Sequence, residues 1–295
     1  MRWALLAAGL LSLISAPAMA RGLPSFDDLR WSGKLLLTGG VSNVEGAGGG
    51  GLATWATTTG YGARDGIGGD VHATLVALPD YQLRTYGAAV GLFDRLELSY
   101  TRQEFDTGST GALLGLGSGF TFDQDVYGAK LVLAGDAVYD QDRLLPQIAI
   151  GAQYHHNDKG AVVHAVGGLK DQGTDYYIAA TKLLLAQSLL LNATLRYTDA
   201  NQFGILGFGG AGHSSQTTQF EGSAAWLASP RLAFGAEYRT KPNNLAFAKE
   251  DDAYDVFAAY AINKHLSVTA AYVDLGDIAT IKNQRGAYIS LQAGF

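Results

Sequence analysis

The sequence predicts an all-β fold, a transmembrane antiparallel up-and-down β-barrel of about fourteen strands, preceded by a cleaved signal peptide. Three observations carry this. Segment after segment alternates apolar and polar residues with period two. Short and long connections alternate between the segments. Tyrosines recur on the apolar face, always shortly before or after a long connection. Composition agrees: Gly is 39 of 295 residues, Tyr 15, charged residues only 16%, and there is no cysteine. That is too apolar and aromatic for disorder. Beyond the N-terminus no apolar run approaches the roughly 18 residues of a spanning helix.

The chain begins MRWALLAAGLLSLISAPAMA. A basic Arg2, an uncharged stretch from Trp3 to Ile14 and a small-x-small ending at Ala18-Met19-Ala20 form a secretory signal with cleavage after Ala20. Without cysteine there is no lipoprotein anchor, disulfide or thiolate metal site. The formal charge of −6 excludes an electrostatic footprint for nucleic acid. Residues 1–20 are thus read as signal peptide, 21–32 as a periplasmic or plugging lead-in, and 33–295 as an outer-membrane β-barrel.

RLAFGAEYR (231–239) shows the pattern: Leu232, Phe234, Ala236 and Tyr238 point one way, and Ala233, Gly235, Glu237 and Arg239 the other. Strands 189–199, 146–156, 264–274 and 94–103 repeat it. Counted backwards, the strands are 285–295, 264–274, 252–262, 231–240, 215–227, 189–199, 174–185, 146–156, 122–134, 94–103 and 82–92. Three weaker ones follow at 71–79, 51–62 and 33–42. Twelve strands is the alternative, with the Gly-rich N-terminal region folded into the lumen. Either even count places both ends of the barrel on one side.

Alternation alone would also suit a soluble sandwich or barrel. The connections and rings decide. Turns at 93–95, 186–188, 229–230 and 263–264 are tight, whereas those at 104–120, 157–173, 200–214, 241–251 and 275–284 are long, as in single-chain outer-membrane barrels. Tyr100, Tyr154, Tyr197, Tyr238 and Tyr272 precede long loops. Tyr127, Tyr177, Phe220 and Tyr254 follow them, and Trp226 and Phe295 mark the short-turn ends. Eight residues separate Pro230 from Tyr238, which at about 3.3 Å per residue and a tilt near 40° rises roughly 20 Å. That nearly spans an apolar band about 25 Å tall between aromatic girdles, where amphipathic rings prefer the headgroup level.

LLLTGGVSNVEGAGGGGLATWA (35–56) and YGAAVGLFDRLELSYTRQEFDTG (86–108) resemble the matching stretches of an uncharacterised, domain-of-unknown-function family of exported Gram-negative outer-membrane barrel proteins. The similarity covers most of the mature chain. The family brings no activity, so no functional residue is carried over from it. The final strand, ending on Phe295, resembles the signal read by the barrel-assembly machinery. Expected partners are that machinery, outer-membrane lipid and lipopolysaccharide.

The motifs for chemistry are weak. Gly46, Gly48 and Gly51 satisfy G-x-G-x-x-G, but no helical pattern follows, and no cofactor is expected. His213 and Ser215 in GHSS suggest a lipid or lipopolysaccharide hydrolase, with Asn201 or Asn192 as orienting partner; outer-loop polarity explains them more simply. In YHHND, His155 and His156 face opposite sides of a strand and do not share an ion, even with His164 nearby, so no metal is expected. Glu250-Asp251-Asp252 reads as a solvated acidic loop, open to weak cation binding or ion bridging to lipopolysaccharide phosphates.

The inward face carries Glu97, Lys130, Gln153, Lys182, Arg196, Glu221, Glu237, Arg239 and Asp255 among small residues. On the lipid face such charges would cost about 2–4 kcal/mol each near the midplane. They are assigned to the lumen. Two states fit them: a water-filled path of mixed charge, which the small residues favour, and a closed lumen with paired charges. The functional expectation is a passive channel or facilitator for small solutes and no enzyme. A hydrolase and a non-conducting structural or adhesion barrel are the alternatives.

Overall fold

The computed structural model describes residues 34–39 and 41–295. The signal peptide at 1–20 and the lead-in at 21–32 lie outside the described residues.

Twelve antiparallel strands close into one barrel. In chain order they are β3 (Ile67–Ala77), β4 (Gln82–Leu92), β5 (Leu96–Asp106), β6 (Thr121–Ala134), β7 (Gln147–Asn157), β8 (Gln172–Leu184), β9 (Leu189–Thr198), β10 (Thr217–Ser229), β11 (Leu232–Arg239), β12 (Ala253–Ala261), β13 (Leu266–Asp274) and β14 (Arg285–Gly294). Each pairs with its sequence neighbours, and β14 closes on β3 with Leu291 opposite Ala73. Closure leaves no strand edge unpaired.

The count corrects the fourteen expected. The described residues of 33–42, and all of 51–62, form no barrel strand. They belong to an insert whose pairing, β1 (Val41–Ser42) with β2 (Gly48–Gly49) and a bridge from Gly49 to Thr54, stays within itself. Both segments look strand-like in sequence because small and β-branched residues alternate there. The backbone polar groups of 51–62 are largely met by side chains of the wall, and those of 41–42 by 48–49 within the insert, so the wall's strand ladder is not needed.

The outside is apolar and ringed. Tyr100, Tyr127 and Tyr154 are successive cross-strand partners, with ring centroids 5.2 and 6.4 Å apart. Tyr238 faces Tyr254 across β11 and β12. These rings, with Tyr197, Tyr272 and Phe220, are exposed near the long-loop end, while Trp226 and Phe295 are exposed near the short turns. Tyr100 and Tyr86 hydroxyls donate to Asp125 (2.9 Å) and Glu104 (2.7 Å), which turns each polar tip toward the loops.

Tyr177 is a correction. It is 5% exposed and lies inside the barrel, while Tyr176 is 54% exposed and takes the girdle place beside Tyr197. The same one-residue slip misplaced Lys182. It shares the outward parity of Tyr176 and Ile178 and pairs with the exposed Leu191. Its ammonium donates to the carbonyls of Asp136 (3.4 Å), Asp140 and Leu145 (3.3 Å), so the 135–146 turn covers it. A slip of one residue exchanges the two faces of a strand. Adjacent apolar pairs, Tyr176-Tyr177 and Leu183-Leu184, made β8 readable in either register.

The interior is packed in layers. Val44, Leu52, Tyr81, Phe105, Phe122, Phe203, Leu275 and their neighbours form an apolar cluster toward the long-loop end. Leu37, Trp55, Leu183, Leu190, Phe257 and their neighbours form another toward the short turns. Between them sits a charged layer centred on Arg196.

Candidate functional site

The site is the lumen, and residues 34–62 occupy it. This insert enters and returns at the short-turn end. Lys34 pairs with Asp94 (2.8 Å) in the 93–95 turn, and at its far end Tyr61 N–H donates to the Phe295 carbonyl (2.9 Å). Between those points nearly every residue is buried.

Wall carboxylates hold the insert by its backbone. Glu97 accepts from Gly48 N–H (3.0 Å) and Thr59 N–H (2.7 Å). Glu237 accepts from Leu52 N–H (2.7 Å), and Glu221 from Thr54 N–H (2.8 Å). Asp70 accepts from the Ser42 and Thr59 hydroxyls at 2.8 and 2.6 Å. Lys130 donates to the Gly48 and Thr57 carbonyls, both at 2.9 Å, while paired with Glu97 (3.0 Å). Such charge-assisted bonds are shorter and stronger than neutral ones.

This explains the run GAGGGG. A Cβ on Gly50 would stand 1.7 Å from Glu237 Oε1, and one on Gly48 would stand 2.8 Å from Glu97 Oε2. Only a backbone without side chains comes so close to the wall. Gly48 presents its N–H to an anion, as a phosphate-binding loop does, but the anion is the wall's own Glu97 carboxylate.

Besides Lys34 at its entry, the insert has one ionic side chain, and it is buried deep in the lumen. Glu45 takes a two-pronged grip from Arg239, at 2.7 and 3.0 Å, with Arg196 at 3.5 Å. Arg196 also bonds Glu221, Gln153 (2.6 Å), Asp175 (3.3 Å) and Thr54 Oγ1 (2.9 Å). Its guanidinium lies 5.3 Å from the Tyr177 ring centroid. Gln153 reaches the Glu45 carbonyl at 3.3 Å. So Glu97, Lys130, Gln153, Arg196, Glu221, Glu237 and Arg239 all meet the insert, while Asp255 lies opposite Glu237 against Gly51. Asp70 and Asp175, two further inward acids, were missed. Asp70 precedes the strand start read at 71, and Asp175 was lost with the slipped register of β8.

The long-loop end is closed too. Residues 200–208 fold inward and are buried, and Phe203 lies under Arg239, its centroid 4.4 Å from the guanidinium carbon. Glu250 departs from the expected solvated loop: it is buried, and both its oxygens accept Gln202 N–H at 3.1 Å. Burial pushes its carboxyl up to about 7, against the pull of Lys241.

The remaining motifs do not assemble. His213 and Ser215 are exposed, and the bond between them runs from Ser215 N–H to His213 Nδ1 (3.2 Å), not from the hydroxyl. Asn201 and Asn192 are buried and bonded elsewhere, to Gly209 O (2.9 Å) and Thr54 O (3.2 Å). His155 is buried and His156 half-exposed, and His164 bonds Gly168 O at 3.0 Å. Among the described residues two groups have metal-compatible spacing, Glu45–His155–Asp175 and Asp125–His156–Asp158. Both already hold arginine, through Arg196 and Arg102.

The sequence pattern of one protein family matches residues 38–292. The chain belongs to that family, described as "Protein of unknown function (DUF3034)". Its matched stretch takes in the insert as well as the barrel. Comparison with curated proteins gives no match. Among solved structures, the fold is similar to the KdgM porin, with TM-score 0.51 and 9% identity over 77% of this chain and 99% of that one. It also aligns with the NanC porin (0.48, 10% identity, 77% and 98%) and with outer membrane phospholipase A from Escherichia coli (0.40, 9%, 77% and 92%). The first likeness establishes the porin-type barrel fold of this DUF3034 chain.

Proposed function

We propose that the protein is an outer-membrane barrel acting as a gated passive channel for small solutes, held shut here by residues 34–62 and by the inward-folded loop after β9. One observation carries the reading. The insert adds no strand to the wall, because β1 and β2 form a sheet of their own, apart from the barrel. Its hold on the strands runs largely through wall side chains, so it can leave without opening a strand ladder. The polar groups that grip it would then line a wet path. The exterior supports the location: an apolar belt between aromatic rings fits outer-membrane lipid, with lipopolysaccharide at the long-loop rim. The strand ending at the exposed Phe295 is the proposed contact for the barrel-assembly machinery. A hydrolase gains nothing from the His213–Ser215 geometry.

The test uses the full mature chain in planar bilayers. In Gly50→Leu the new side chain collides with Glu237, and in Gly204→Leu it meets Gln124 Oε1 at 2.7 Å and the Phe208 ring at 2.9 Å from a backbone with φ +89°. The double variant, checked for a compact heat-modifiable band in gels, is expected to give discrete conductance steps far more often than the parent. A folded double variant that stays silent would overturn the channel.

A further inference from the structure

The inward charges are lopsided. Counting histidines as neutral, and setting aside Asp274 at the rim with Arg285 (2.6 Å), the buried inward acids of the strands are Asp70, Glu97, Asp175, Glu221, Glu237 and Asp255. The buried inward bases are Lys130, Arg196 and Arg239. Lys182, which would have narrowed the gap, lies on the other face.

Each base has a partner on the wall itself, although Arg239 also grips Glu45 of the insert. Lys130 holds Glu97, Arg196 holds Glu221 and Asp175, and Arg239 Nε lies 3.4 Å from Glu221. None of these pairs needs the insert. Glu237 and Asp255 differ. They stand opposite each other in the β11–β12 register, buried, and no ammonium or guanidinium pairs with either among the described residues. The insert supplies neutral donors instead: Leu52 N–H on Glu237, beside the Ser223 hydroxyl (2.6 Å).

A second observation points to a ligand at the same place. Asp255 Oδ1 and the Tyr288 hydroxyl are both buried and without a hydrogen-bond partner. Both groups converge on Gly51: a Cβ there would be 3.3 Å from Asp255 Oδ2 and 3.3 Å from the ring carbon bearing the Tyr288 hydroxyl. When the insert withdraws, two carboxyl groups, a phenol and the Ser223 hydroxyl are left facing water with no cation of their own.

We propose that the unplugged lumen selects for cations, and that the Glu237–Asp255 pair is where the passing cation is held. The proposal rests on the gated-channel reading and names its solute class. The Gly-rich insert occupies that place with backbone donors, and a small cation replaces it when the gate is out. A ring or pair of acids in a narrow path is the usual physical basis of cation preference, since field lines focus in a cleft with low-dielectric walls.

The experiment is the reversal potential of the Gly50→Leu/Gly204→Leu full chain under a KCl gradient. The expected potential lies on the K⁺ side. Adding Glu237→Gln and Asp255→Asn is expected to shift it toward zero, while Glu104→Gln on the outer face leaves it in place. Conductance with a potential at zero or on the Cl⁻ side would overturn the cation assignment and leave the channel standing. A folded, silent chain would instead remove the channel and this assignment together. If the double variant loses its compact band, Gly50→Ser, which keeps the collision with Glu237 in a smaller side chain, is measured under voltage ramps by the same criterion.

Discussion

Tyr176 and Tyr177 are neighbours in sequence and belong to different environments. Tyr176 is one of a ring of equivalent tyrosines, each exposed on the apolar belt, and what fixes it is height along the barrel. Tyr177 is a single part in a particular assembly, packed beneath Arg196 within the charged layer. The outside of this barrel is built by repetition and the inside by individual partnership. Changes outside should therefore be absorbed, and changes inside should not.

Arg196 gives the hardest test. It alone bridges Glu221 and Asp175 on the wall and approaches Glu45 on the insert. Arg196→Met takes the guanidinium from buried Asp175 and leaves Glu45 and Glu221 to Arg239, and breaking such a network costs about 4 kcal/mol. The urea midpoint for loss of the compact gel band should fall accordingly. An unchanged midpoint would mean that the inner layer is as tolerant as the belt.

The tyrosine pair sharpens the contrast. Tyr177→Ala should cost about 3 kcal/mol, as for other large-to-small changes of a buried ring. Tyr176→Ala, made one residue away, should stay within about 0.5 kcal/mol. Equal costs for the two would show that the faces of β8 are not distinguished in the way described.

The smallest effect concerns pH at the long-loop end. Glu250 has its folded carboxyl raised to about 7 by burial, above an ordinary value of 4.5. The folded loop thus holds its proton where the opened loop would lose it. The stabilisation is fully present below about 4.5, and it declines as pH rises through about 7. Limited proteolysis within 240–252 should be slower at pH 5 than at pH 8, and Glu250→Gln should remove that difference.

How far the sequence could be read follows the same division. Strands such as 82–92 and 285–294 lie where alternation placed them, because lipid imposes one uniform demand on every outward residue. β8 was misread because Tyr176-Tyr177 and Leu183-Leu184 satisfy that demand in both registers. The insert reads as strands because small and β-branched residues alternate in it, yet what fixes it is not local. Its structure depends on Glu97, Glu221 and Glu237, which lie from 38 to 185 residues away along the chain. The glycines at 46–51 allow a close approach of backbone, but nothing in their local sequence names Glu97 and Glu237 as what they approach.

The insert passes in and out through one end of the barrel, so it is a bight laid into the tube and not a cord run through it. A bight can be withdrawn without releasing either end, and no part of the chain has to thread. Its return leg leads directly to the seam, where Tyr61 N–H and Gly69 N–H both donate to the carbonyl of Phe295 (2.9 and 3.1 Å). The last residue of the chain is therefore shared between the stopper and the closing joint of the wall. A barrel assembled without its bight would lack one of the ties at that joint, which makes seating the insert part of closing the cylinder.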